Sequence, residues 1–171
     1  LKREYSLESS PNEEEKVDEK LTFSTPFMRF WFAFVSPYFK SVKDGDFKET
    51  KERFGNHKQE FFEFAFKKLA VEVVKKGFIN DAIVEAGSYW DRSVQIDILA
   101  KTASGKIVAG ICKYSNQKAK KSELAKLKEL CEAAQIKADI FVIVSKSGFS
   151  SELKALKSDE LKLFTMKSFS N

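Results

Sequence analysis

Two short runs constrain this chain more than anything else in it: Gln95-Ile96-Asp97-Ile98-Leu99 and Gly110-Ile111-Cys112-Lys113, separated by the turn Thr102-Ala103-Ser104-Gly105. Side chains alternate between the two faces of a strand, so each run reads as a strand carrying one charged residue among aliphatic neighbours. A glycine-containing turn joins them as a hairpin, which is expected to set Asp97 and Lys113 side by side. A polar group inside a sheet is costly unless paired. Spacing alone favours a buried ion pair or two unrelated edge residues. The chemical reading is Mg²⁺-dependent phosphodiester hydrolysis, in which carboxylates hold a hard cation and a lysine orients water or steadies the phosphorane charge.

The flanking pattern supports an α/β architecture. A helical period runs from about Phe47 to Lys76, with Phe61, Phe62, Ala65, Leu69 and Val73 inside, and Lys67, Lys68, Lys75 and Lys76 outside. Gly77 is expected to stop it as a glycine past the last turn. Strands are expected over Ile79–Val84, Val94–Ala100 and Lys106–Tyr114, a helix over Ser122–Ala134, and a doubly covered strand over Asp139–Ser145. A short helix from Ser151 and a strand over Leu161–Met166 follow. The order α-β-β-β-α-β-α-β predicts a mixed central sheet with helices on its faces.

Upstream, Lys2–Leu7 and Lys20–Thr25 read as a hairpin around an acidic, disordered tip at Ser9–Glu13. Pro26 then opens an aromatic helix, Phe27 to Val35, closed by Ser36-Pro37. It is apolar nearly all round and is expected to be buried on several sides, as core or an interdomain contact rather than a base-stacking platform. The chain opens on Leu1 rather than Met, which implies a piece of a longer polypeptide.

Composition excludes several classes. His57 is the only histidine and the two cysteines, Cys112 and Cys131, form no CxxC pattern, which removes a zinc site of the usual kind and any Ser-His-Asp triad unless His57 serves alone. Reduced thiols point to a cytoplasmic protein. Pro26–Val35 is too short to span a bilayer, and no signal peptide is visible. Lys106 after Gly105 lacks the rest of a phosphate loop, so the chain has no ATP site of its own. The net charge of +5 is mild, but its distribution is uneven. Acids concentrate in residues 8–19, whereas eight lysines between Lys101 and Lys128 meet one acid, Glu123. Lys118, Lys120, Lys121, Lys126 and Lys128 are either a phosphate-tracking surface or a solvated helix face.

The order of helix, Ile-Asp-Ile strand, glycine hairpin, Cys-Lys strand, basic helix and Ile-Val-Ser-Lys-Ser-Gly-Phe-Ser resembles the PD-(D/E)XK superfamily. More narrowly, Pro26-Phe27-Met28-Arg29-Phe30-Trp31-Phe32 and Gly87-Ser88-Tyr89-Trp90 resemble segments of the C-terminal domain of the archaeal-type ATPases, the DUF234 family. The resemblance implies a restriction-endonuclease-like fold over 53–171, an aromatic helical connector over 26–52, and a hairpin arm over 1–25 left from the wing of a winged-helix unit. It implies an upstream ATPase in the same polypeptide, DNA as a partner and no membrane. It also implies catalytic roles for Asp97, Lys113 and Glu63, with Mg²⁺ as cofactor if the site is active. The acid expected two residues before the lysine is replaced by Ile111, which cannot bind Mg²⁺; Glu85 is the candidate for a migrated metal ligand beside Asp97. The leading expectation is a DNA-binding region with a degenerate metal site. The alternatives are an active Mg²⁺-dependent endonuclease and a protein–protein module serving the ATPase.

Overall fold

The structure, a computed structural model, describes residues 1–8, 14, 16 and 19–165. The expected tip at Ser9–Glu13 and the end of the last expected strand, Met166, lie outside them. The chain divides into two compact units, one of residues 1–4 and 20–66, the other of residues 5–19 and 67–171. Among the described residues no helix is long and apolar enough to cross a membrane.

β1 (Lys2–Tyr5) and β2 (Glu19–Thr22), whose residues fall in the first unit except for Tyr5 and Glu19, form a two-stranded sheet. Thr25 caps α1 (Pro26–Phe30) by accepting from the Met28 N–H at 3.2 Å. The helical path does not stop at Ser36-Pro37. It widens to a π-turn at Trp31–Val35, tightens at Ser36–Tyr38 and continues into α2 (Phe39–Lys43). Pro37 lies in a first turn, where its missing N–H costs nothing.

Burial of this segment is also less than its composition predicts. Only Phe34 within it is buried, while Phe27 is 65% and Phe39 53% exposed. Ring contacts hold it: Phe34 meets Phe54 edge-on at 5.2 Å, Phe30 meets Phe61 at 5.9 Å, Phe32 stacks on Phe23 at 5.2 Å, and the Arg29 guanidinium lies 3.6 Å over Phe64. That half-buried position lowers the Arg29 pKa through desolvation, against the opposing charge of Glu60. The next helix is α3 (Lys48–Gly77), whose residues up to Phe66 are counted with the first unit and those from Lys67 with the second.

The second unit is built on one five-stranded sheet of order β3 (Ile83–Trp90), β4 (Gln95–Thr102), β5 (Ile107–Lys113), β6 (Ile140–Ser145), β7 (Leu161–Thr165). The first three strands are antiparallel, and β5–β6–β7 are parallel. Parallel neighbours require crossovers, which α4 (Lys121–Ala133) and α5 (Ser151–Ala155) supply. This is the predicted mixed sheet flanked by helices, in the predicted order. Leu127, Cys131 and Ala134 at the end of α4 close one core cluster with Tyr89, Ile96, Leu99 and Ala109.

Two expectations change. The first strand begins at Ile83 rather than Ile79 and absorbs Gly87-Ser88-Tyr89-Trp90. Ile79 is 87% exposed, and Asp81 is spent on the β4–β5 turn, accepting from the Ser104 N–H at 2.9 Å and hydroxyl at 2.6 Å. Those bonds hold the Asp81 carboxyl below its usual range. Tyr89 is fully buried, with its hydroxyl donating to Asp91 at 2.6 Å; Asp91 also accepts from the Ser93 and Val94 N–H groups and so shapes the turn into β4.

Gly77 is the second. It is the last residue of α3 itself and has no left-handed backbone. A Cβ there would clash with the Phe164 ring, so glycine serves close approach of β7 rather than a cap.

Candidate active site and nucleic-acid edge

Asp97 sits on β4 where the predicted hairpin places it, and the ladder carries it past Ile98↔Gly110 towards Ile111 on β5. Each oxygen of its carboxylate has a partner. One oxygen pairs with the Lys67 ammonium at 3.0 Å, and the other accepts from the Cys112 N–H at 2.9 Å. The Asp97 side chain is 9% exposed and that of Lys67 30%, so the pair is largely withdrawn from water.

Lys113 is not the partner of Asp97. Lying two residues beyond Ile111, it turns to Glu123 at the start of α4, with Nζ 2.8 Å from the carboxylate. The expected Asp97–Lys113 pair is thus two separate pairs, Lys67–Asp97 and Lys113–Glu123. Both new members had a faint signature. Glu123 is the single acid in a run of eight lysines. Lys67 looked like a solvent-facing residue of an amphipathic helix, and only a search for a countercharge to Asp97 would have singled it out.

Glu85 does not join the site. It is exposed at the far end of the β3–β4 ladder, opposite Lys101, four residues along β4 from Asp97. At about 3.3 Å per residue that is roughly 13 Å. Glu63 belongs to the other unit, on the upstream part of α3. Among the described residues no group of three or more His, Cys, Asp or Glu side chains is placed to hold a metal ion. Mg²⁺ takes hard oxygen donors in near-octahedral geometry. One carboxylate already bonded through both oxygens, beside Ile111, does not fit it.

The carboxyl ends of β5 and β6 form a rigid double loop. Lys146 N–H donates to the Lys113 carbonyl at 3.0 Å, and the Ser147 hydroxyl donates to the Ser115 carbonyl at 2.6 Å. Ala119 bridges to Phe149 as a single parallel rung, with Ala119 N–H donating to Gly148 O and Ser150 N–H to Ala119 O, both at 2.9 Å. The Lys146 ammonium is held by Asn116 at 3.1 Å and lies 4.5 Å over the Tyr114 ring. Around this clamp Lys118, Lys120, Lys121 and Lys126 are exposed and form no ion pair among the described residues. Lys128 is exposed too, with its ammonium 5.4 Å over the Phe141 ring.

The two cysteines form no disulfide. Cys131 lies in the α4 core, where burial pushes its pKa up to about 11. Both thiols are buried and unpaired with each other. In the native protein at pH 8, neither is expected to react with a thiol-specific chromogenic reagent within the time that denatured protein reacts completely. Rapid labelling of Cys131 without denaturant would contradict the packing of α4.

Comparison with known proteins adds the following. No curated protein matches the chain significantly. A solved structure, a repair endonuclease from Pyrococcus abyssi, is similar at 16% identity and a TM-score of 0.42, over 61% of this chain and 45% of that one. The family model DUF234, described as archaea bacterial proteins of unknown function, matches residues 31–125, from the π-turn into α4 and across Asp97 and Lys113. On that match over more than half of its length, the chain belongs to the DUF234 family.

Proposed function

We propose that this chain is a nuclease-fold region that holds DNA by its phosphates without cutting it, within a larger ATPase polypeptide that has a winged-helix unit upstream. The observation that carries the reading is the state of Asp97. Its two oxygens are bonded to Lys67 and to the Cys112 N–H, and Ile111 stands in place of a second acid. Diester hydrolysis by this route requires a cation held by carboxylates to polarise the phosphate or activate water. A lone carboxylate neutralised by an ammonium group supplies neither.

Binding needs less. Open α/β sheets take ligands outside the carboxyl ends of their parallel strands. Here that end carries Lys118, Lys120, Lys121 and Lys126, all exposed, on or beside a loop tied by backbone hydrogen bonds. Each phosphate neutralised releases counterions, so affinity falls steeply with salt. Duplex and branched DNA are expected to bind at low ionic strength, equally in EDTA and in Mg²⁺. Replacing Lys118, Lys120, Lys121 and Lys126 together by Ala is expected to flatten the slope of log K against log salt by roughly 3 to 4. A fluorescence titration across salt measures both. No salt-dependent binding at low ionic strength would remove the DNA reading. Nicking in Mg²⁺ or Mn²⁺ that Asp97→Ala and Lys113→Ala both abolish would establish the active endonuclease instead.

A protein-contact role for the aromatic segment is the second reading, favoured by the exposure of Phe27, Phe32 and Phe39. Its mark is a stable complex with the rest of the polypeptide that is indifferent to DNA.

A further inference from the structure

The outer edge of β3 lies at the opposite side of the sheet from β7, and its backbone is not left bare. The segment Ser6-Leu7-Glu8, which belongs with the sheet unit, runs along it with three kinds of anchor. The Leu7 N–H donates to the Ser88 carbonyl at 3.0 Å, and the Trp90 N–H donates to the Ser6 hydroxyl at 3.1 Å. The Leu7 side chain packs on the core cluster of Tyr89, Leu99 and Leu127. Glu8 then pairs with Lys101 on β4 at 2.7 Å. Gly87 faces Leu7, and a Cβ on it would come no nearer than 3.8 Å to the leucine.

Beside Glu8 the surface opens into a cavity of about 440 Å³, lined by Leu99, Lys101, Ile107, Ala134, Ile136 and Lys137 among others. Its wall is set by the end of α4. Gln135 takes a left-handed φ of 54°, and the Ile136 N–H donates back to the Cys131 carbonyl at 2.8 Å. This closure turns Ile136 towards the core cluster. A non-glycine residue held left-handed marks a wall that the surrounding structure fixes. Lys101, paired with Glu8, and Lys137 bring two ammonium groups to the cavity lining. The hydrogen bond and charge of Glu8 hold Lys101 above its usual pKa, and Glu85 adds to the same effect.

We propose that the β3 edge and this cavity form a strand-accepting site for an extended peptide bearing an aliphatic residue followed by a carboxylate, and that Ser6-Leu7-Glu8 is its resident ligand in cis. Main-chain hydrogen bonds to a sheet edge supply affinity, and side-chain pockets supply selectivity. The leucine fills the core notch, and the carboxylate meets Lys101. An incoming strand of the same pattern exchanges with the arm. The tethered segment competes at high effective concentration, so the site is closed to weak ligands while the arm is seated.

The probe is a fluorescein-labelled peptide of residues 1–12, titrated by fluorescence anisotropy into the full chain. The double variant Leu7→Asp/Glu8→Lys unseats the arm and is expected to bind the probe at least ten-fold more tightly than the unmodified chain. Adding Lys101→Ala to that variant is expected to abolish the gain. Equal binding by the double variant and the unmodified chain overturns the proposal, as does tight binding that survives Lys101→Ala. Self-association of the double variant in place of peptide capture overturns it too. A single change guards against misfolding: in Lys101→Glu alone, hydrogen exchange at the Leu7 and Trp90 amides is expected to accelerate at least ten-fold while the β4–β5 amides stay protected. Unchanged protection at those two amides also overturns it.

Discussion

Replacing Lys67 by Met is expected to lower stability by about 2–4 kcal/mol at neutral pH, read as an earlier midpoint in urea at unchanged slope. The reasoning starts from Asp97, whose side chain is 9% exposed and keeps only the Cys112 N–H once the ammonium is gone. A charge in that position loses its Coulomb partner without regaining water. The cost is therefore that of an uncompensated, largely buried carboxylate rather than of a surface pair, for which about 0–1 kcal/mol is usual. Asp97→Asn in the Lys67→Met background is expected to recover a substantial part, because a neutral amide oxygen still accepts from the Cys112 N–H. The double-mutant cycle isolates the pair from other contacts of Lys67, with a coupling of about 1–3 kcal/mol. A coupling near zero would mean that Asp97 is not committed to Lys67. The case against a metal there would weaken with it.

Gly110→Val is expected to be more damaging still, at about 3 kcal/mol or more, enough to send much of the expressed protein into the insoluble fraction. Gly110 lies on β5, between antiparallel β4 and parallel β6. A Cβ at this position would stand 3.1 Å from the Ile98 Cβ, 3.3 Å from the Val142 Cβ and 3.3 Å from the Val142 carbonyl oxygen. Each of those atoms belongs to or adjoins backbone fixed in the ladder, so none yields by rotating a side chain. Valine adds two methyl groups to that crowding. Gly110→Ala is the milder control, expected to cost about 1–2 kcal/mol. Thermal melts of the soluble fractions give the comparison, and a valine variant that melts with the unmodified chain would show unrecognised slack between the strands.

The parts of this molecule that were legible beforehand are those whose burial imposes a period. The run Ile140–Ser145 is covered on both faces and reads as a continuous apolar string, and α4 shows its core stripe through Leu127 and Cys131. Asp97 was legible because a carboxylate among Ile96, Ile98 and Leu99 has no cheap explanation. Its partner was not. Lysine carries a long apolar stem and a charged tip, so Lys67 satisfies a helix exterior and a buried carboxylate from the same position in a helical pattern. The aromatic segment misled for a related reason. Seventeen phenylalanines suggest deep burial, but composition does not say how many sides of a helix are covered, and here Phe34 is buried while Phe27 is not. Glu85 failed as a migrated ligand because distance along a ladder depends on register, and β3 shifts register twice against β4.

The notch at Gly77 bears on the order in which the sheet unit assembles. Its occupant, the Phe164 ring, arrives on β7, the last strand of the sheet, whereas the notch is at the end of the helix that precedes the first. Contacts so distant in sequence form only after a large loss of chain entropy, and they slow folding relative to local ones. During synthesis the final turn of α3 therefore waits, its glycine notch empty, until the last strand has left the ribosome. A nascent chain halted before Phe164 is expected to keep the β4–β5 hairpin and lack the closed sheet.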